Sequence, residues 1–96
     1  NVEPLPTEFG IMKIYPNPFN PTTTIRFDTP VVETRFITSL QIFDITGHLV
    51  ETLIDGTAEP GTHEIQWNAS RQSSGIYFVR LQSREFVETQ KIVLVK

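Results

Sequence analysis

The 96-residue chain contains no cysteine, which excludes disulfide bonds, thiolate chemistry and cysteine-ligated zinc. It also has no apolar run that approaches the roughly 20 residues of a membrane-spanning helix, so we expect no stable membrane insertion. Its eight lysines and arginines are scattered, and the formal net charge is only −3. No basic stripe therefore favours nucleic acid or anionic lipid as a partner.

A helical periodicity of 3.6 residues is also missing, whereas short apolar segments alternate with a period near two. That alternation is typical of strands with one buried and one exposed face. Strands are predicted over residues 11–15, 22–28, 38–45, 48–54, 62–68, 76–82 and 87–95. Because a chain of this length forms one domain, the pattern predicts an all-β, immunoglobulin-like sandwich of about seven antiparallel strands.

The phase of the alternation also predicts the core. Nine residues share the inward phase: Ile25, Phe27, Leu40, Ile42, Ile65, Trp67, Tyr77, Val79 and Leu81. Aromatic residues in that phase are more often core than recognition residues. Phe78 has the opposite phase and is the better candidate for an exposed aromatic. An exposed Trp67 would instead favour stacking on a sugar.

Turn residues separate the strands. Asp44 and Gly47 predict a type I turn with a bulge, and the sequence at 59–62 predicts a type II turn with Gly61 at positive φ. Ser73, Ser74 and Gly75 interrupt the chain before the sixth strand.

Three prolines punctuate the stretch after the first strand. Pro16, Pro18 and Pro21 lack backbone donors, so no regular pairing is expected from 16 to 21. Each proline also restricts its predecessor, which predicts a stiff, extended path through Tyr15 and Asn17.

No residue pattern indicates catalysis, a metal or a cofactor. The histidines have no carboxylate at ligand spacing, the aspartates lie near strand ends where they cap turns, and the serines lie in a loop without a nucleophile elbow. The residues concerned are His48, His63, Asp28, Asp44, Asp55, Ser70, Ser73 and Ser74. We therefore expect a protein that is not an enzyme.

The segment Tyr15 to Ile25, with its three prolines and two asparagines, closely resembles the opening of the type A C-terminal sorting domain of the type IX (Por) secretion system. Later segments resemble that family in the same order: 40–47, 61–67, 75–81 and the lysine-bounded tail 91–96. One departure is Ser83-Arg84-Glu85, where the family often has glycine. The nearest confusable family is the immunoglobulin-like domain of a flagellar hook-capping protein.

The resemblance implies a linker over residues 1–10 and a non-catalytic sorting domain over 11–96, fused to an upstream cargo. It implies transit through the periplasm, a secretion-system shuttle or translocon as partner, and a sortase-like protease that cuts in the linker at the cell surface. The sorting-motif candidates are Pro16, Asn17, Pro18, Gly75, Tyr77, Lys91 and Lys96.

Other classes of function remain open at this point. A carbohydrate-binding sandwich would need a row of exposed aromatics on one face, and a passive spacer or hook-cap domain would need no surface site. Lys91 and Lys96 have two interpretations as well. Charges beside an apolar strand can prevent edge-to-edge aggregation, or they can be read by a secretion machine.

Overall fold

A computed structural model of the chain describes residues 10–30, 37–57, 59–83 and 86–96. The predicted linker lies almost entirely outside these residues, as do Arg84 and Glu85, where the chain departs from the family pattern. The described part is all-β and contains no helix. Its strands are β1 (Gly10–Tyr15), β2 (Thr22–Thr29), β3 (Ile37–Asp44), β4 (Leu49–Thr57), β5 (Gly61–Asn68), β6 (Gly75–Ser83) and β7 (Phe86–Leu94).

The seven strands form two sheets with exclusively antiparallel pairing between strands. A three-stranded sheet has the order β1-β2-β5, and a four-stranded sheet has the order β4-β3-β6-β7. The predicted immunoglobulin-like sandwich is confirmed, and each predicted strand corresponds to an observed one. The largest difference is in β4, which continues to Thr57 rather than ending at residue 54.

The core lies between the two sheets. Eight of the nine predicted core residues are buried, including Trp67 and Tyr77, which are 1% and 6% exposed. Ile65 is only partly buried, because β5 is an edge strand of the smaller sheet. The buried Trp67 offers no ring face to a sugar, so the carbohydrate-binding interpretation loses the residue it depended on.

The turn between β3 and β4 is held by the carboxylate of Asp44, confirming the predicted Asx turn. Its Oδ1 accepts hydrogen bonds from Thr46 N at 2.9 Å, Thr46 Oγ1 at 2.6 Å and His48 N at 3.0 Å. Gly47 has a φ of 87°, and its N–H donates to Asp44 O at 3.0 Å. Gly61 likewise has the predicted positive φ, 133°, and also begins β5.

Acid should weaken this turn. The hydrogen bond from the Thr46 side chain, followed by that from His48 N, lowers the pKa of Asp44 from its ordinary 3.8. A group whose pKa is lower in the folded state stabilises the fold above its unfolded pKa, and that stabilisation is lost as pH falls through the folded pKa. We therefore expect Asp44→Asn to remove part of the acid sensitivity of unfolding below about pH 4.

Urea unfolding of the wild type and the Asp44→Asn variant at pH 7 and pH 3 measures this effect. Asp55→Asn is the matched control, since it removes a carboxylate from the exposed part of β4. Equal acid sensitivity in the wild type and Asp44→Asn would show that the carboxylate does not hold the turn.

Candidate functional site

The proline-rich segment after β1 lies along the outer edge of β7. Phe19 N donates to Val93 O at 2.9 Å, and Val95 N donates to Phe19 O at 3.0 Å. These bonds form an isolated parallel bridge between Phe19 and Leu94. The expectation of no regular pairing from 16 to 21 is confirmed, and the isolated bridge forms at Phe19, which lies between the prolines and keeps its own N–H.

The side chain of Asn17 continues this pairing by one step. Its Nδ2 donates to Lys91 O at 3.2 Å, and its Oδ1 accepts from Val93 N at 3.0 Å. The amide side chain thus replaces a peptide group that the flanking prolines could not supply. We call the surface formed by residues 16–19 and 91–96 the terminal seam.

The segment bends at residues 16–18 instead of running straight, so the expected extended path is wrong at Asn17. The peptide bonds before Pro16, Pro18 and Pro21 are cis. Thr23 Oγ1 of β2 donates to Pro16 O at 2.8 Å and holds the bend. The end of the segment is held by Ala69, just after β5, whose N–H donates to Pro21 O at 2.9 Å.

Phe19 anchors the terminal seam to the core. Its side chain is 1% exposed, and its ring centroid lies 5.7 Å from that of Trp67. Phe19 is thus a core residue outside the nine that the alternation predicts. The available signal was its position as a single large apolar residue within a stretch of prolines and asparagines.

Most predicted motif residues meet in the terminal seam. Pro16, Asn17, Pro18 and Lys91 are exposed there, and Lys96 Nζ donates to Ser70 O at 2.9 Å. Residues 16–18 and 91–96 are far apart in the sequence, so the alternation of apolar and polar residues did not indicate that they would form one surface.

Gly75 and Tyr77 lie elsewhere. Gly75 begins β6 and is in register with Leu94 on the inner side of β7. Tyr77 is a core residue whose hydroxyl donates to Ser73 O at 2.7 Å and whose ring meets Trp67 edge-on at 5.5 Å. Both residues therefore lie on β6, next to the part of β7 that belongs to the seam, and neither contributes to the seam's surface.

The two histidines have local partners. His63 stacks on Phe27 with centroids 5.2 Å apart, and its Nε2 lies 2.7 Å from Glu59 O. His48 Nδ1 lies 3.0 Å from Thr46 Oγ1. Among the described residues, no three His, Asp or Glu side chains form a group that could hold a metal ion. Within the same residues, no helix is long and apolar enough to cross a membrane.

A comparison with protein families identifies the chain. The family model described as "Secretion system C-terminal sorting domain" matches residues 13–96 and so includes both halves of the terminal seam. No curated protein matches the sequence. The chain belongs to the family of C-terminal sorting domains of the type IX secretion system.

Proposed function

We propose that the terminal seam is the part of this domain that the type IX machinery recognises. Family membership gives the chain a sorting role in type IX secretion, with a secretion-system partner, a fused upstream cargo and export to the cell surface or the extracellular space. Sorting domains of this family are in general non-catalytic. The proposal adds the surface on the domain that carries the signal.

The observation that carries the proposal is the double contact of Asn17 with Lys91 O and Val93 N. These contacts make a surface from two motifs that are separated by almost the whole chain. A machine that binds this surface would recognise the folded domain and not an unfolded one, because the seam exists only after β7 has formed.

The same contacts bear on the role of the two lysines. Exposed strand edges usually need charges or prolines to prevent intermolecular pairing. Here residues 17–19 already occupy backbone groups of β7 from Lys91 O to Val95 N. Protection of this edge therefore does not require Lys91 and Lys96, which supports a recognition role for them.

The finer route is also part of the proposal. The cargo crosses the inner membrane by a separate N-terminal signal, and the folded domain is then bound in the periplasm by a shuttle and passed to the translocon. A sortase-like protease cuts within residues 1–10, where Pro4 and Pro6 stand among eight other residues, half of them polar. Such a stretch beside a compact domain is a suitable cleavage site.

A reporter fused upstream of residues 1–96, in a host with the type IX machinery, tests the role of the lysines. We expect Lys91→Gln with Lys96→Gln to lower surface reporter about tenfold, the size of effect that loss of one interface hot spot produces. Surface charge changes usually alter stability by no more than about 0.5 kcal/mol, so the fold should survive.

The matched control removes two exposed cations from the other sheet, by Lys13→Gln with Arg26→Gln. Circular dichroism checks that both double variants are folded. If the Lys91 and Lys96 variant is folded and exported as well as the control, the lysines are not part of the signal.

A further inference from the structure

The outer face of the four-stranded sheet carries two rows of side chains that cross all four strands in register. The first row is Leu49, Phe43, Phe78 and Lys91. The second row is Thr52, Gln41, Arg80 and Thr89. Nearby on the same face, Val87 is 57% exposed, and Leu49 in the first row is 53% exposed. We call the two rows the apolar-basic face, because their charged members are both cations.

The outer face of the three-stranded sheet differs in composition. There, charges of both signs are neighbours: Arg26 is in register with Glu64, and Glu64 Oε2 accepts a hydrogen bond from the hydroxyl of Tyr15 at 2.8 Å. Asp28 accepts a hydrogen bond from Thr62 at 2.7 Å. That face is polar and internally paired, whereas the two rows of the apolar-basic face contain no carboxylate. The nearest one in register on this face is Asp55, in the next row on the edge strand β4.

Arg80 is held in place without being fully hydrogen-bonded. Its guanidinium lies 4.3 Å from the ring centroid of Phe43, and its Nη2 donates to Gln41 Oε1 at 3.2 Å. Its Nε is buried and has no hydrogen-bond partner. Lys91 lies diagonally from Arg80, beside Phe78 on the neighbouring strand. Arg80 and Lys91 thus lie beside Phe43 and Phe78, and packing on Phe43 orients the guanidinium of Arg80.

A shallow depression adjoins Arg80. It has a volume of about 260 Å³, and Phe43, Ile45, Phe78 and Arg80 contribute to its lining. Asp44 also lines it, but its Oδ1 already accepts three hydrogen bonds within the turn. Its size suits one inserted apolar side chain. Exposed apolar surface of this kind on a small domain is typical of a protein interaction site.

We propose that the apolar-basic face binds an acidic surface of a protein of the secretion machinery, with a partner carboxylate between Arg80 and Lys91 and a partner apolar side chain in the depression. The inference rests on the proposed function and extends it, because Lys91 belongs both to this face and to the terminal seam. Charge complementarity selects the occupant, because carboxylates satisfy the two cations.

Two other occupants fit the face less well. A sugar would stack on exposed aromatic rings, but the guanidinium of Arg80 covers the ring of Phe43. An anionic membrane is bound by clusters of about four to eight basic residues, and these rows contain two.

The test uses the reporter fusion with substitutions at two positions of the face. We expect Phe78→Thr and Arg80→Glu each to lower surface reporter about tenfold, as removal of a hot-spot contact does. Arg80→Lys retains the positive charge and should stay within about twofold of the wild type, since most near-neutral interface changes cost little. Gln66→Glu, which adds a negative charge to the opposite sheet, is the matched control and should also leave export unchanged.

Circular dichroism and urea unfolding confirm that each variant is folded before export is interpreted. Normal export of folded Phe78→Thr and Arg80→Glu overturns the inference about the apolar-basic face. If Lys91→Gln with Lys96→Gln still lowers export in that case, the proposed function of the terminal seam stands. Equal defects in Arg80→Lys and Arg80→Glu overturn the carboxylate contact.

The occupant is tested on the purified fusion protein. A dimer that Phe78→Thr converts to a monomer would assign the face to a second copy of the chain and overturn the inference. Flotation with vesicles of anionic lipid that Arg80→Glu abolishes would overturn it in favour of a membrane. A monomer that does not float agrees with the inference.

Discussion

Replacing Trp67 with alanine is expected to destabilise the domain by about 3–5 kcal/mol, the usual cost of truncating a buried aromatic residue. Trp67 is 1% exposed and contacts both Phe19 and Tyr77 through its ring. Its Nε1 also donates to Glu51 Oε1 at 3.1 Å, which links β5 of one sheet to β4 of the other. The substitution therefore leaves a cavity and removes a contact between the sheets.

Denaturant unfolding followed by circular dichroism measures this loss. Trp67→Phe is the matched control, because it keeps an aromatic ring in the core and removes chiefly the hydrogen bond to Glu51. It should cost clearly less than Trp67→Ala. A loss below about 1 kcal/mol for Trp67→Ala, the size of a typical surface change, would contradict the burial of this side chain.

Replacing Asn17 with alanine is expected to reduce export to the level of a host that lacks the type IX machinery, while the domain stays folded. The variant loses two hydrogen bonds to β7, and each is worth about 0.5–1.5 kcal/mol. Burial of Phe19 and the main core should outweigh that loss. Without the amide side chain, the stretch from Pro16 to Pro18 loses its bonds to Lys91 O and Val93 N, and only the backbone bridge at Phe19 still holds it to β7.

Asn20→Ala is the control for this experiment. Asn20 is exposed, lies in the same segment and also precedes a proline, so the two variants make the same chemical change. We expect Asn20→Ala to be exported normally. Equal export of both variants would mean that the contact of Asn17 with β7 has no part in recognition.

The sandwich could be predicted from the sequence because its determinants are local. The period-two alternation in segments such as Ile25 to Phe27 gives the face of each residue without knowledge of its neighbours. The turn at Asp44 is equally local, since the side chain bonds to groups two and four residues ahead.

The terminal seam could not be predicted in the same way. Asn17 and its partners are 74 and 76 residues apart, and no turn or periodicity connects them. A parallel bridge at Phe19 also has no signature in a stretch where prolines argue against pairing. The partial exposure of Ile65 depends on strand order, because only the observed topology makes β5 an edge.

Site-specific photo-crosslinking from position 20, which adjoins the terminal seam, tests whether the secretion machinery binds there during export. A photoreactive residue at position 20 would replace an exposed side chain beside Phe19, and the same residue at position 66 would lie on the outer face of the other sheet. We expect the reporter fusion to crosslink to a protein of the secretion machinery from position 20 and not from position 66. Normal export with no adduct from position 20, or with equal adducts from both positions, would contradict recognition through the terminal seam.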